Sequence, residues 1–324
     1  MNAKNTLAIL ENNQLAKVKP LDQNPAAVYL AGLTPKARRV QRDALNRIAG
    51  ILTNGAINDC LAIPWDKVEY QHAQAIRSAL VENYKAASVN RMISGLREVL
   101  KSAWLLKQIS AEQYLRICET KPAEGETIPA GRELTSGEIA ALMANCESDQ
   151  GPAGVRDAAI IALGIAGGPR REEMAALDCE KFNPETGRLM ILGKGNKERL
   201  TYIDNGALDA LNDWLSIRGS NPGPLFYPIS RGGEIINRRM TNQAIYSLLQ
   251  KRGKLAGVKA FSPHDLRRTF ISNMLAAGAD IATVAKMAGH SSVNTTARYD
   301  RRPEENKRKA AGLLHVPYKP RYVK

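Results

Sequence analysis

Residues 183–203 read NPETGRLMILGKGNKERLTYI, and they break the pattern of the 324-residue chain around them. Asn183-Pro184-Glu185-Thr186-Gly187 is turn chemistry. Residues 188–192 and 199–203 are short strand-like runs, and Gly193-Lys194-Gly195-Asn196-Lys197 forms a second turn between them. The spacing predicts a small antiparallel hairpin. On either side the signals are helical. Residues 156–166 form a strongly apolar segment that reads as a buried helix. Downstream, Ser262 suits a helix N-cap, Pro263 the first helical position, and Asp265 the third residue of a capping box. The expected class is mainly α with a small antiparallel β-sheet.

The N-terminal part carries helical signals alone. Residues 1–20 lack periodicity and are expected to form a loose arm. Thr34-Pro35 starts a helix in which Ala37, Val40, Ala44 and Ile48 recur at 3–4 spacing, with Lys36, Arg38, Arg39 and Arg42 between them. Further helices are expected at about 70–86, 88–107 and 110–118. In the second of these, Met92, Leu96, Val99 and Ala103 form an apolar stripe, and Arg91, Arg97 and Lys101 offer a cationic face. Residues 119–133, with two prolines and two glycines, read as a linker. Leu134 then opens a second domain, with Thr135 or Ser136 as cap. Beyond Tyr299 the chain turns polar over 300–309 and ends with Leu313, Leu314, Val316 and Tyr318, a tail suited to docking on its own domain or a neighbour. The expected divisions are an arm (1–20), a helical domain (21–118), a linker (119–133), a second domain (134–302) and a tail (303–324).

The formal net charge of +14 is spread over both parts: residues 1–120 carry +6 and the remainder +8. Such a balance favours a polyanionic partner, with affinity falling steeply as salt rises. Cys60, Cys118, Cys146 and Cys179 are far apart, so neither a metal site nor a disulfide framework is implied, and a reducing compartment fits. Neither a signal peptide nor a membrane-length apolar run is visible, so the expected location is cytoplasmic.

The candidate chemistry lies in four places. His264 falls in the first turn of the Ser262-capped helix, where free N–H groups favour an anion, and Arg267 projects from the same face three residues on. Arg170, in Gly168-Pro169-Arg170-Arg171-Glu172-Glu173, starts another helix and supplies a second guanidinium; two forks can hold both free oxygens of one phosphate. Gly289-His290 adds a second imidazole, and Tyr299, nine residues later, a phenol able to become a covalent attachment point. Lys194, and more weakly Lys197, sits on the hairpin turn, where a lysine can enter a DNA groove and protonate a leaving oxygen. The turn lacks the phosphate-loop pattern of nucleotide-binding proteins.

Together these residues resemble the tyrosine recombinase (phage integrase) family, in its Xer-like or simple core-type form. The likeness covers residues 20–118, including the run 88–97 from Ser88 to Arg97, and residues 134–302. The resemblance implies a helical core-binding, SAM-like DNA-binding domain followed by an α+β catalytic domain. Arg170 falls on the family's first arginine with Glu173 in a structural position, Lys194 on its hairpin lysine, His264 and Arg267 on H-x-x-R, His290 on G-H, and Tyr299 on the nucleophile. Pro169 departs from the family's usual Leu or Met, and Gly167-Gly168 compensates by freeing the chain. The arm is too short for a separate arm-binding domain.

The resemblance further implies site-specific DNA recombination through a 3′-phosphotyrosine intermediate, without metal, ATP or other cofactor. The implied partner is double-stranded DNA with paired inverted core sites, bound by a homotetramer or related heterotetramer, and no membrane. The DNA-contact candidates are Arg38, Arg39, Arg42, Arg91, Arg97, Lys101 and Lys197. Two rivals remain: a catalytically silent DNA-binding regulator, and a type IB topoisomerase-like relaxase.

Overall fold

The computed structural model describes residues 19–125, 131–193, 195–299, 311, 312 and 317. Residues 1–18 of the expected arm, 126–130 of the expected linker, Lys194, and Leu313, Leu314, Val316 and Tyr318 of the expected tail lie outside the described residues. The chain divides into two compact units, Met1–Ala130 and Gly131–Lys324.

The first unit is a helical bundle of α1 (Pro25–Ala31), α2 (Pro35–Leu52), α3 (Tyr70–Asn83), α4 (Ala86–Leu105) and α5 (Ala111–Cys118). Thr34 caps α2 through Oγ1, which accepts from the Ala37 N–H, with Pro35 at the first helical position. The apolar stripe of α2 keeps its expected register at Ala44 and Ile48 and is buried only in the later turns of the helix. Ala44, Leu45, Ile48, Ala49 and Leu52 are buried, whereas Val40 is exposed, because the first turns of α2 extend past the core. Helix α4 is the centre, packing against α1, α2, α3 and α5 through Val89, Met92, Ile93, Leu96, Val99, Leu100 and Ala103. Two 3₁₀ turns, Cys60–Ala62 and Trp65–Lys67, were not anticipated. They bury Trp65, whose indole N–H donates to the Cys60 carbonyl at 2.9 Å.

The stretch expected to be a linker is hydrogen-bonded at its described ends. Arg77 donates to the Lys121 and Pro122 carbonyls, Asn90 exchanges two hydrogen bonds with the Ala123 backbone, and Thr120 is buried. At the start of the second unit, the Arg132 N–H donates to Asp265 Oδ1 (2.8 Å) and the Leu134 N–H to Thr269 Oγ1 (2.9 Å). These contacts meet the backbone's hydrogen-bonding need where no regular element does.

The second unit contains α6 (Ser136–Glu147), α7 (Pro152–Ala166), α8 (Arg171–Ala176), β1 (Arg188–Leu192), β2 (Glu198–Tyr202), α9 (Asn205–Arg218), α10 (Asn242–Leu255), α11 (Pro263–Ala276), α12 (Ile281–Ala288) and α13 (Val293–Ala297). Thr135 and Glu138 form the capping box of α6. Apolar nearly all round, α7 packs against α6, α9, α10 and α11. Its one deep charge pair is compensated: Asp157 accepts from Arg156 and from Arg252 of α10, and Arg252 also reaches Asp149. Burial of these ions is tolerable because every one has a partner. The β1–β2 hairpin pairs Arg188 with Tyr202 through Leu192 with Glu198, one residue earlier at each end of β2 than expected. Leu189 and Ile191 point into the core, and the opposite face is open.

Two features fix α11 and α12. Gly168 has φ +57°, and a Cβ there would meet Phe270 Cδ1 at 2.3 Å, so the turn before Arg170 needs glycine both for its backbone and for its closeness to α11. Phe270, Ile271 and Leu275 of α11 join Val284 and Ala288 of α12 and Tyr299 in a separate apolar cluster. Among the described residues no helix is long and apolar enough to cross a membrane.

Candidate active site

Helix α12 ends in a left-handed Gly289 (φ +68°), and its last carbonyls face inward. A helix end leaves such carbonyls without intrahelical donors. Here three successive ones each accept from an arginine of a different element. Arg199 Nε of β2 donates to the Met287 carbonyl (2.9 Å), Arg267 Nη2 of α11 to that of Ala288 (2.5 Å), and Arg170 Nη2 to that of Gly289 (3.0 Å). The negative end of the helix dipole adds to the attraction. Three guanidiniums that are remote in sequence are thereby drawn to one spot.

The arginines differ in exposure. Arg267 is 2% exposed and its Nη1 also donates to the Gly168 carbonyl at 2.7 Å. Burial, then the neighbouring Arg170 and Arg199, bring its pKa down to about 10, which leaves it charged at neutral pH. The Arg170 side chain is 44% exposed and rests on Glu173, both through Nη1 and through its own backbone N–H. Glu173 lies beneath, 6% exposed, and takes a fork from Arg199 as well (3.0 and 2.6 Å). Burial alone would raise the Glu173 carboxyl. Hydrogen bonds from Arg199 and Arg170 outweigh it and hold the pKa at about 2. Glu173 is thus one carboxylate among three guanidiniums, beside a cleft of ≈ 1030 Å³ whose lining mixes Arg170, Lys197, Arg199 and His290 with Glu172 and Glu198. A smaller hollow of ≈ 370 Å³, lined by Arg170, Tyr246, His264 and Arg267, adjoins it. Two guanidiniums, Arg170 and Arg267, therefore border that hollow.

The imidazoles are neutral at physiological pH. His264, beside the Ser262–Asp265 capping box that starts α11, is held below the ordinary value by partial burial of its ring and by Arg267 and Arg268. His290 is pushed down to about 4 by burial and then by Arg267, Arg170 and Arg199. Its Nδ1 lies 2.8 Å from Thr296 Oγ1, fully buried on α13. Tyr299 is 9% exposed, its ring against His290 (centroids 6.1 Å apart) and beneath the Arg268 guanidinium (5.1 Å). Its hydroxyl lies 3.4 Å from His264 Nε2. In the tautomer with Nε2 unprotonated, that nitrogen can receive the phenolic proton.

Of the six residues expected in the site, Arg170, His264, Arg267, His290 and Tyr299 come together; Lys194 lies outside the described residues. Arg199, Arg268 and Thr296 were missed. Arg268 was detectable in principle, being four residues after His264 on one helical face; Arg199 and Thr296 had no such mark. The DNA-contact candidates divide. Arg39, Arg42, Arg91, Lys101 and Lys197 are exposed. Arg38 is exposed too, but its guanidinium donates to the Leu30, Ala31 and Leu33 carbonyls at the end of α1, and the half-buried Arg97 donates to the Thr120 carbonyl. Both guanidiniums act as caps. Among the described residues no group of three or more His, Cys, Asp or Glu could hold a metal ion.

Residues 132–305 match the phage integrase family. The chain belongs to that family. It is 31% identical over 278 residues to the tyrosine recombinase XerC of Actinobacillus succinogenes, covering 82% of this chain and 86% of that protein. To the tyrosine recombinase XerD of Pseudomonas aeruginosa it is 30% identical over 226 residues, covering 68% and 72%. Its fold is that of integrase structures. A Tn1549 transposon integrase in complex with a circular intermediate DNA aligns with TM-score 0.62 at 16% identity, over 91% of this chain and 99% of that one. A lambda integrase dimer bound to a COC′ core site aligns with TM-score 0.60 at 16% identity, over 88% and 78%.

Proposed function

We propose that this member of the phage integrase family is a site-specific DNA recombinase that cuts and rejoins DNA through Tyr299. The observation that carries the reading is the phenol of Tyr299 3.4 Å from His264 Nε2, on the helix that also holds Arg267. The Tyr299 oxygen attacks the scissile phosphorus as its proton passes to His264. The bond from phosphorus to the 5′ oxygen breaks, a 3′-phosphotyrosyl bond forms, and the leaving oxygen takes a proton from Lys194. Arg170 and Arg267 hold the non-bridging oxygens, and His290 donates to one of them from its Nε2, with Nδ1 turned to Thr296. A 5′-hydroxyl of a partner duplex then reverses the attack. The ester's energy is retained, so the residues of this cycle need no ATP.

The net charge of +14 supports double-stranded DNA as the partner; action on paired inverted core sites by a homotetramer or a related heterotetramer is part of the same proposal. A cytoplasmic location fits that role. The exposed Arg39, Arg42, Arg91, Lys101 and Lys197 are the proposed backbone contacts.

The test is covalent capture. Incubated with duplexes from the DNA flanking its gene, nicked beside the footprinted site, the protein should leave a denaturation-resistant protein–DNA adduct. Binding without any adduct favours a silent regulator, and relaxation of supercoiled plasmid lacking such a site favours a topoisomerase.

The pH dependence has a defined sign. His264 must be neutral to accept a proton, and its pKa lies below 6.5. The rate of adduct formation at subsaturating DNA, which reports the free enzyme, should rise through a midpoint below pH 6.5 and be level at neutral pH. A midpoint above 6.5 would assign the acceptor elsewhere.

A further inference from the structure

We infer that Arg199 is a positioning residue for strand cleavage, occupying Glu173 and the end of α12 so that Arg170 stays turned to the phosphate. The inference rests on the recombinase reading above.

Each nitrogen of the Arg199 guanidinium donates within the protein. Nε holds the Met287 carbonyl, Nη1 and Nη2 fork onto the two oxygens of Glu173, and the side chain is 10% exposed. Its stem packs on the turn that precedes His290: a Cβ at Gly289 would meet Arg199 Cδ at 2.8 Å. One side chain therefore ties the hairpin to both the Arg170 turn and the His290 turn. Glu173 Oε1 is shared by Arg170 and Arg199, each through Nη1. With Arg199 in place, Glu173 needs only one side-chain bond from Arg170, whose Nη2 stays on Gly289. Without it, a nearly buried carboxylate would have Arg170 as its sole cationic partner among the described residues. An unpaired buried charge is costly, so Arg170 would swing both arms of its fork onto Glu173 and away from the cleft.

Arg199→Met should lower the single-turnover rate of adduct formation about 100-fold, the scale of a misplacement of about 1 Å in a reacting constellation. DNA affinity should change far less, because each Arg199 nitrogen already donates within the protein and the side chain is only 10% exposed. Adding Glu173→Gln to Arg199→Met should restore the rate about tenfold, since it removes the charge that captures Arg170. A purely structural role would show no such recovery. Arg199→Lys, which keeps the charge but cannot span Glu173 and Met287, should fall between wild type and Arg199→Met. It carries the test alone if the methionine variant does not fold. A wild-type cleavage rate in Arg199→Met or Arg199→Lys overturns the inference, as does a loss that Glu173→Gln leaves unrelieved. Both results leave the recombinase reading intact as long as the unaltered protein forms its adduct. If the unaltered protein forms none, the reading itself fails.

Discussion

Tyr299→Phe should bind DNA as the unaltered protein does and form no covalent adduct. The substitution removes one oxygen and keeps the ring that packs against His290, under Arg268 and among Phe270, Ile271 and Val284. The lost contact, 3.4 Å to His264, is long, and His264 faces solvent, so no buried polar group is stranded. Stability should change by less than about 1 kcal/mol, the net worth of an ordinary hydrogen bond. Loss of the nucleophile should instead take cleavage to background, a drop of roughly 10⁶-fold where comparable nucleophiles have been removed. Thermal melting, a salt-dependent binding titration and an adduct gel on one preparation separate these terms. Adduct at the unaltered level would move the nucleophile to another residue.

Arg267→Ala should lose both rate and stability, whereas Arg170→Ala should lose mainly rate. Arg267 is sealed beneath the site and donates to the Gly168 and Ala288 carbonyls, which no other donor in the described structure reaches. Their desolvation without a partner costs about 1–3 kcal/mol each, so the alanine variant should melt several degrees lower. Loss of a donor to the charge that builds at phosphorus should add a rate penalty of roughly 10²–10³-fold. Arg170 is half exposed, and Glu173 keeps Arg199 when it is removed, so its variant should fold nearly as well and cleave at a similarly reduced rate. Arg267→Lys should not rescue, because a point ammonium cannot reach two carbonyls and a phosphate at once. Equal melting temperatures for the two alanine variants would contradict the burial argument, and near-normal cleavage in either would show the clamp misassigned.

The elements were legible because their signals are local. Thr34-Pro35, Thr135 of the Thr135-Ser136 pair, and Ser262-Pro263 with Asp265 each meet the needs of a helix start within one turn, and each caps its helix. The hairpin at 188–202 was equally legible, since glycine-rich turns bound two short strands. The α2 stripe was misjudged at Val40 because periodicity tells which face of a helix is apolar, not how far along its axis a neighbour reaches. Nor does the sequence tell that Arg38 and Arg97 donate to backbone carbonyls, because a guanidinium that meets a carbonyl and one that faces a phosphate look alike in it.

By itself, then, the amino-acid order determined the helix starts, the hairpin, the positive charge, and the identity and spacing of the reactive side chains on their own elements. Only the tertiary structure decided that Arg170, Arg199 and Arg267 meet at the carbonyls of Met287, Ala288 and Gly289, and that Tyr299 is seated against His264. The physical reason is range. Caps and periodicity are satisfied within a turn or two of chain, whereas the free carbonyls at a helix end accept whichever donors packing brings to them, however distant in sequence.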